Sequence, residues 1–404
     1  MSYELTAAQA AERLGVKPAT LYAYVSRGVL TRGRAADGRA SLFDADEVER
    51  LARRGRPRRP AGAVDIIVES RITEITADRL RYRGHDVVEL ARTRSFEDVA
   101  ELLWTGELPT GSSTGGWRAP EIALAAGRAA QAALPAGTLP LERFQVIVPA
   151  LAATDPLRLE LDPVAVVAAA RTIVAGLVDC LPGAAGPSDG TPIAIRLWSR
   201  LCQRRASPAL LRALSAALVL LADHELAAST LAARAAASVR ADPYAVVATG
   251  LGAVGGALHG GSSLGAESML AAAAGPADVP RVVAELLRRG EKVPGFGHYI
   301  YKAGDPRAIA LLGMIRHAAP KSAQLAIAEA VLVSVRRKSL PEPNIDFALA
   351  TLARVAGMTR GAAEAIFAVA RVAGWVAHAL EAYTTAPIRP RAIYIGPPAA
   401  NGGA

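Results

Sequence analysis

From Ala209 to about Val239 the chain sets apolar residues at helical spacing, with Leu210, Leu214, Leu218 and Leu221 along one stripe and no strand-like alternation. A helix of that length has to be covered by other helices. The same patterning runs from Ser95 to Ala185, interrupted by Gly and Pro at 135–140 and 182–187. Of the 404 residues, 51% are hydrophobic but only 5% aromatic, so Ala, Leu and Val must fill the core. These observations predict an all-α fold. His224 falls on the face of Leu220 and Leu221 within Asp223-His224-Glu225, and reads either as a core histidine satisfied by a neighbouring acid or as part of a site.

Two cysteines, Cys180 and Cys202, are too few for a disulfide framework and lack metal-ligand spacing, so no metal site is expected and a reducing cytoplasm is. Met1 to Arg13 has no export-signal pattern. The longest uncharged run, Pro243 to Ala266, is broken by glycines and contains His259, so it reads as buried structure and no membrane partner is expected. Within it, Gly250 to Gly255 matches a dinucleotide-binding fingerprint, with Tyr244 to Ala248 as the strand it would require. No βαβ succession surrounds it, and close helix packing is the better use of these glycines.

Residues 1–60 hold twelve Lys or Arg against seven Asp or Glu, more than half of the chain's net +9. Such an imbalance suits a polyanion-binding segment. Thr6 caps a predicted helix to Leu14, Gly15 ends it, and Pro18 opens a second through Arg27. Val29–Thr31 and Ser41–Phe43 read as the strands of a hairpin wing, followed by a third helix from Ala45 to Arg53. This layout resembles the winged helix-turn-helix domain of the MerR family. The resemblance implies DNA contacts from Thr20, Tyr22, Arg27, Arg34 and Arg39. The Arg54-Gly55-Arg56-Pro57 stretch reads as a stiff linker or as an AT-hook-like element whose arginines enter a minor groove.

The stretch Pro294 to Arg307 carries two turns. Gly295 and Gly297 flank His298, and Asp305-Pro306 presents Arg307. An imidazole to polarise a carbonyl and a guanidinium to grip a carboxylate suit a small oxo-acid. Further on, Asp346 follows Pro341-Glu342-Pro343 at the start of a predicted helix, and the last long helix holds Arg371 and Trp375.

Seven stretches, in order, resemble the motifs of the citrate synthase family: Ala222–Leu226 with Ala228–Thr230, Leu258–Gly261, Gly295–His298, Asp305–Arg307, Asn344–Asp346, Ala370–Trp375 and Arg389–Arg391. Tyr82–Gly84 and Leu102–Pro109 resemble its N-terminal region. The resemblance covers about Val64 to the end. It implies a two-domain helical fold behind the winged domain: residues 1–53, a linker at 54–63, a large domain of 64–259 with 373–404, and a small domain of 260–372. It also implies a homodimer or higher homo-oligomer, acetyl-CoA or propionyl-CoA and oxaloacetate as substrates, and no cofactor beyond the CoA thioester itself. Asp346 would be the base, His259 would bind the enol oxygen, and His298 would polarise the ketone. His224, Arg307, Arg371 and Arg389 would hold carboxylates, Arg389 from the partner subunit. Three departures stand out: Tyr299 where bacterial members usually have Arg, Ser262-Ser263-Leu264 where Ala-Asn-Glu is frequent, and Ala227 in place of Asn. They keep open a 2-methylcitrate synthase, or a metabolite-sensing regulator with a catalytically weak body.

Overall fold

In the computed structural model, residues 4–14, 16, 21, 24–25, 30–34, 41–45, 47–48, 51, 68–110, 116–183 and 191–390 are described. Two units result, Met1–Glu69 and Ser70–Ala404. In the first, strand β1 (Glu4–Thr6) leads into helix α1 (Ala7–Leu14), and β2 (Gly33–Arg34) and β3 (Ser41–Asp44) follow. The antiparallel order is β1-β3-β2, pairing Leu5 with Phe43 and Gly33 with Leu42. Thr6 and Gln9 exchange hydrogen bonds at the start of α1, as the cap reading expects. Ala10, Ala11, Leu21, Leu30, Phe43 and Val48 form this unit's own core.

The wing strand therefore begins at Gly33 rather than Val29, and β1 leaves no mark in the sequence because three residues carry no periodicity. Leu30 is committed to the core, and Thr31 uses its N–H and hydroxyl on Glu47 instead of a ladder. Arg34 lies on β2; Thr20, Tyr22, Arg27, Arg39, Arg54 and Arg56 lie outside the described residues.

The second unit opens with a small sheet, β4 (Thr73–Ile75), β5 (Leu80–Tyr82) and β6 (His85–Asp86). Arg83 and Gly84, both at positive φ, turn the chain between β5 and β6. Fifteen α-helices follow among the described residues, and those that build the site are α8 (Pro208–Leu221), α9 (Ala228–Ser238), α10 (Pro243–Val254), α11 (Gly261–Ala271), α13 (Pro306–Ala318), α15 (Ile345–Ala356) and α16 (Ala362–Ala382). Ser95 and Asp98 form the expected reciprocal cap at the start of the helix Phe96–Thr105.

Helix α16 is the axis. It is long and apolar enough to cross a membrane, but it is buried by α8, α9, α10 and other helices of the body. Small residues let its neighbours close in. A Cβ at Gly250 would stand 2.6 Å from the Trp375 ring, so Gly250 serves packing; the candidate strand Tyr244–Ala248 is part of α10.

The run Ala209–Val239 is two helices, not one. At its break, the last carbonyls of α8 are claimed from elsewhere: Leu220 by the Tyr82 hydroxyl at 3.3 Å, Leu221 by Arg371 Nε at 2.8 Å and Ala222 by the Gly374 N–H at 2.9 Å. Tyr82 also takes the Asp223 N–H and donates to its carbonyl. Those are the groups a continuing helix would need.

Candidate active site

That break turns Asp223-His224-Glu225 out of helical register, with Glu225 at φ 53°. Asp223 is fully buried. Its Oδ2 accepts from Thr73 at 2.5 Å, from the Glu225 N–H at 3.1 Å, and meets His378 Nε2 at 3.4 Å. Burial pushes its carboxyl up, but His378 and Arg371 more than offset that and hold it below the usual value. A Cβ at Gly374 would collide with Asp223 Oδ1, so only glycine fits there. The neighbouring acid thus anchors the turn, and His224 is free to face a cleft with its Nε2 3.2 Å from the Tyr301 hydroxyl.

The cleft, about 570 Å³, is lined by His224, His259, His298, Arg307, Asp346 and Arg371, six of the seven residues the sequence nominated. Arg389 is exposed and outside it. Gly295 and Gly297, at φ 81° and 84°, bend the loop that carries His298; a Cβ at Gly295 would press to 2.8 Å on Phe347. His298 Nδ1 accepts from the Ile300 and Tyr301 N–H groups at 3.1 and 3.3 Å, so its proton sits on Nε2 as a donor. Tyr301 stacks on this ring at 4.7 Å, and burial pushes the phenol up to about 12.

His259 precedes α11. Its Nε2 lies 2.8 Å from Ser229 Oγ, which accepts the Trp375 indole N–H at 3.3 Å. An indole can only donate, so the serine keeps its own proton to give, and a serine bond donated to His259 Nε2 would leave the imidazole proton on Nδ1. Burial, with Arg371 adding to it, lowers this imidazole to about 4. Burial and then Arg307 lower His298 too, and both push His224 well down. All three imidazoles are neutral at pH 7, able to donate a hydrogen bond without donating a full charge.

The two arginines differ. Asp305 caps α13 and grips Arg307 through Nε at 3.0 Å and Nη2 at 2.8 Å, and its Oδ2 also accepts the Ile345 N–H. Arg371 gives Nε to Leu221, while its buried Nη1 finds no partner among the described residues. Burial pulls its pKa down to about 10, still cationic at neutral pH. A buried cation with a spare donor is a place for an anion.

Opposite them, Asn344 caps α15 and aims Asp346 into the cleft. Its half-buried carboxyl accepts the Ser263 hydroxyl at 2.5 Å. Burial raises its pKa, with Ser263 and Arg307 opposing. A carboxylate of raised basicity beside neutral imidazole donors can take a proton from a weak carbon acid. Tyr82, Ser229, Tyr301 and Asp305 support the site through these bonds, although none of them has a role assigned from the sequence; Tyr82, Ser229 and Asp305 lie in stretches that resemble the family's motifs, and Tyr301 in the Gly-bent loop.

The profile for the C-terminal domain of citrate synthase matches residues 63–391, and a helix-turn-helix profile matches residues 4–56. Citrate synthase 2 of Bacillus subtilis is 30% identical over 82% of this chain and 94% of its own length. A 2-methylcitrate synthase of Mycobacterium tuberculosis is 31% identical over 82% of this chain and 88% of its own. Among solved structures, the citrate synthase of Thermoplasma acidophilum, in a ternary complex with carboxymethyl coenzyme A and oxaloacetate, superposes with a TM-score of 0.70 at 26% identity, over 82% of this chain and 94% of that one. Since these matches span the residues that build the cleft, the chain belongs to the citrate synthase family, as a citrate synthase-like acyltransferase carrying a helix-turn-helix domain.

Proposed function

We propose that the cleft condenses acetyl-CoA with oxaloacetate to give citrate and CoA. What carries this reading is one cleft joining a half-buried carboxylate, two neutral imidazoles, one of them with its proton assigned to Nε2, and a buried guanidinium with a spare donor. Asp346 takes a proton from the acetyl methyl group, and His259 Nδ1 donates a hydrogen bond to the thioester oxygen as charge builds there. The enol carbon attacks the oxaloacetate ketone, whose oxygen is held by the His298 Nε2–H as negative charge develops on it and then takes up a proton, while Asp346 gives its own back to solvent. Arg371, Arg307 and His224 hold the carboxylates. Water then cleaves citryl-CoA and releases the thiol. A thioester α-proton is only weakly acidic, so the carboxylate succeeds because developing oxyanion charge meets fixed donors. The CoA thioester enters as substrate, and no further cofactor takes part.

Domain closure between residues 64–259 with 373–404 and residues 260–372 would exclude water. A homodimer fits Arg389, exposed and outside its own chain's cleft, if that residue serves the partner's. Propionyl-CoA is the second acyl donor to test, given the likeness to a 2-methylcitrate synthase. A cytoplasmic location agrees with two buried free thiols. The test is oxaloacetate-dependent thiol release with acetyl-CoA and propionyl-CoA. Asp346→Ala and His259→Ala are each expected to cost at least about 10²-fold in kcat. Turnover like wild type in both would sink the assignment.

A second reading, DNA binding, rests on the helix-turn-helix match and the basic residues 1–60. Salt-sensitive binding to duplex DNA, weakened by Arg27→Ala or Arg39→Ala, supports it; negligible binding at low salt overturns it.

A further inference from the structure

Ser262-Ser263-Leu264 stands out in sequence because it departs from the Ala-Asn-Glu frequent in bacterial members, and the structure gives the middle residue a task. Ser263 lies in the first turn of α11, is wholly buried, and its hydroxyl donates to Asp346 Oδ1 at 2.5 Å across two helices. Helices α11 and α15 pack directly on one another, so the partners are fixed by the cores of both. Asp346 is restrained at its other end, where its N–H donates to Asn344 Oδ1 at 3.0 Å.

A buried hydroxyl had several acceptors to choose from. In the first turn of a helix a serine ordinarily caps or bonds back to a nearby carbonyl. Ser268, later in α11, does so with Leu264. Ser263 instead spends its proton on a carboxylate 83 residues away.

We propose that Ser263 is a positioning residue for Asp346: its hydroxyl pins Oδ1, which leaves Oδ2 to meet the acyl α-proton, and keeps the half-buried carboxylate ionised. This rests on Asp346 acting as the base. A charge-assisted O–H···O⁻ bond of this length both orients and favours the charged form. His259 is only four positions before Ser263, so a single Gly-Gly turn, Gly260-Gly261, sets the spacing between the enol-oxygen donor and the tether of the base.

The test uses the full-length protein and steady-state kinetics of thiol release from pH 5.5 to 9, with thermal melting to confirm the fold. Ser263→Ala is expected to lower kcat about tenfold at neutral pH, the effect of one hydrogen bond to a charged group. It should also move the acid limb of the kcat profile to higher pH, because the carboxylate loses a bond that favours ionisation. The KM for oxaloacetate should stay within about twofold. Ser263→Thr, which keeps the hydroxyl, should return the limb toward wild type. An acid limb that does not move in Ser263→Ala overturns the proposal, as does a loss uniform across pH, the mark of a packing role. Asp346→Asn separates the two levels. If it is inactive while Ser263→Ala behaves as wild type, only the positioning role falls; if it turns over normally, the base assignment falls as well.

Discussion

Two sets of groups in and beside the cleft follow opposite electrostatic plans. In one, Arg307, Arg371, His224 and His298 offer donors and positive charge, with one carboxylate, Asp305, already spent on Arg307. In the other, Asp346 lines the cleft and Glu364 lies behind Gly260 outside it, both carboxyls whose burial raises their pKa, and the His259 imidazole is lowered to about 4. On the function proposed above, the first set would receive an anion that arrives charged, and the second would accept a proton and tolerate charge only while it is being made. Burial does both jobs, because it strengthens a fixed cation's grip and raises a carboxylate's basicity.

The contrast breaks first at Arg371. Its orphaned Nη1 marks it as the arginine with capacity to spare, whereas Arg307 is neutralised by Asp305. Arg371→Leu is expected to raise the calorimetric Kd for oxaloacetate about 10²-fold, the worth of a charge-assisted contact, with the acyl-CoA KM little changed. Equal weakening of both substrates would mean that the sets are not separate. Ser229→Ala probes the other set. It removes the hydrogen-bond partner of His259 Nε2, so kcat should fall about tenfold while oxaloacetate affinity holds. A changed oxaloacetate Kd there would dissolve the distinction.

Much of this arrangement is legible in the sequence itself. The helical stripes, the reciprocal cap at Ser95 and Asp98 and the Gly-bent loop before His298 follow from local spacing, and the six cleft residues from the resemblance to the family's motifs. What escapes a local reading is set at long range. The helix break before His224 depends on Tyr82 and Arg371, 141 and 150 residues from the groups they bind. No short window of sequence contains both partners, and Leu, Val and Ala at helical spacing argue for continuation. Ala227 is instructive in the same way: the position starts α9 with no side-chain cap, so only tertiary contacts mark where that helix begins. Likewise Ser263 registers in sequence only as an irregularity, and its meaning depends on Asp346 being brought across from another helix.

The smallest expected effect is also the cleanest check on the proton-accepting set. Glu364, in the first turn of α16, is almost fully buried, and a Cβ on Gly260, next to His259, would come within 3.4 Å of its Oε1. Burial first, then Glu267 and Glu142, raise its carboxyl to about 7. The folded state therefore holds a proton that the unfolded chain releases near its ordinary value of 4.5. Stability is complete below that value, falls as pH rises through about 7, and then levels off. Glu364→Gln removes the titration. Its melting temperature should match wild type near pH 4.5 and exceed it at pH 8, by a margin worth about 1–3 kcal/mol. Parallel melting curves across that range would mean that Glu364 ionises without cost, and that the acidic set is less closed to charge than its counterpart is open to it.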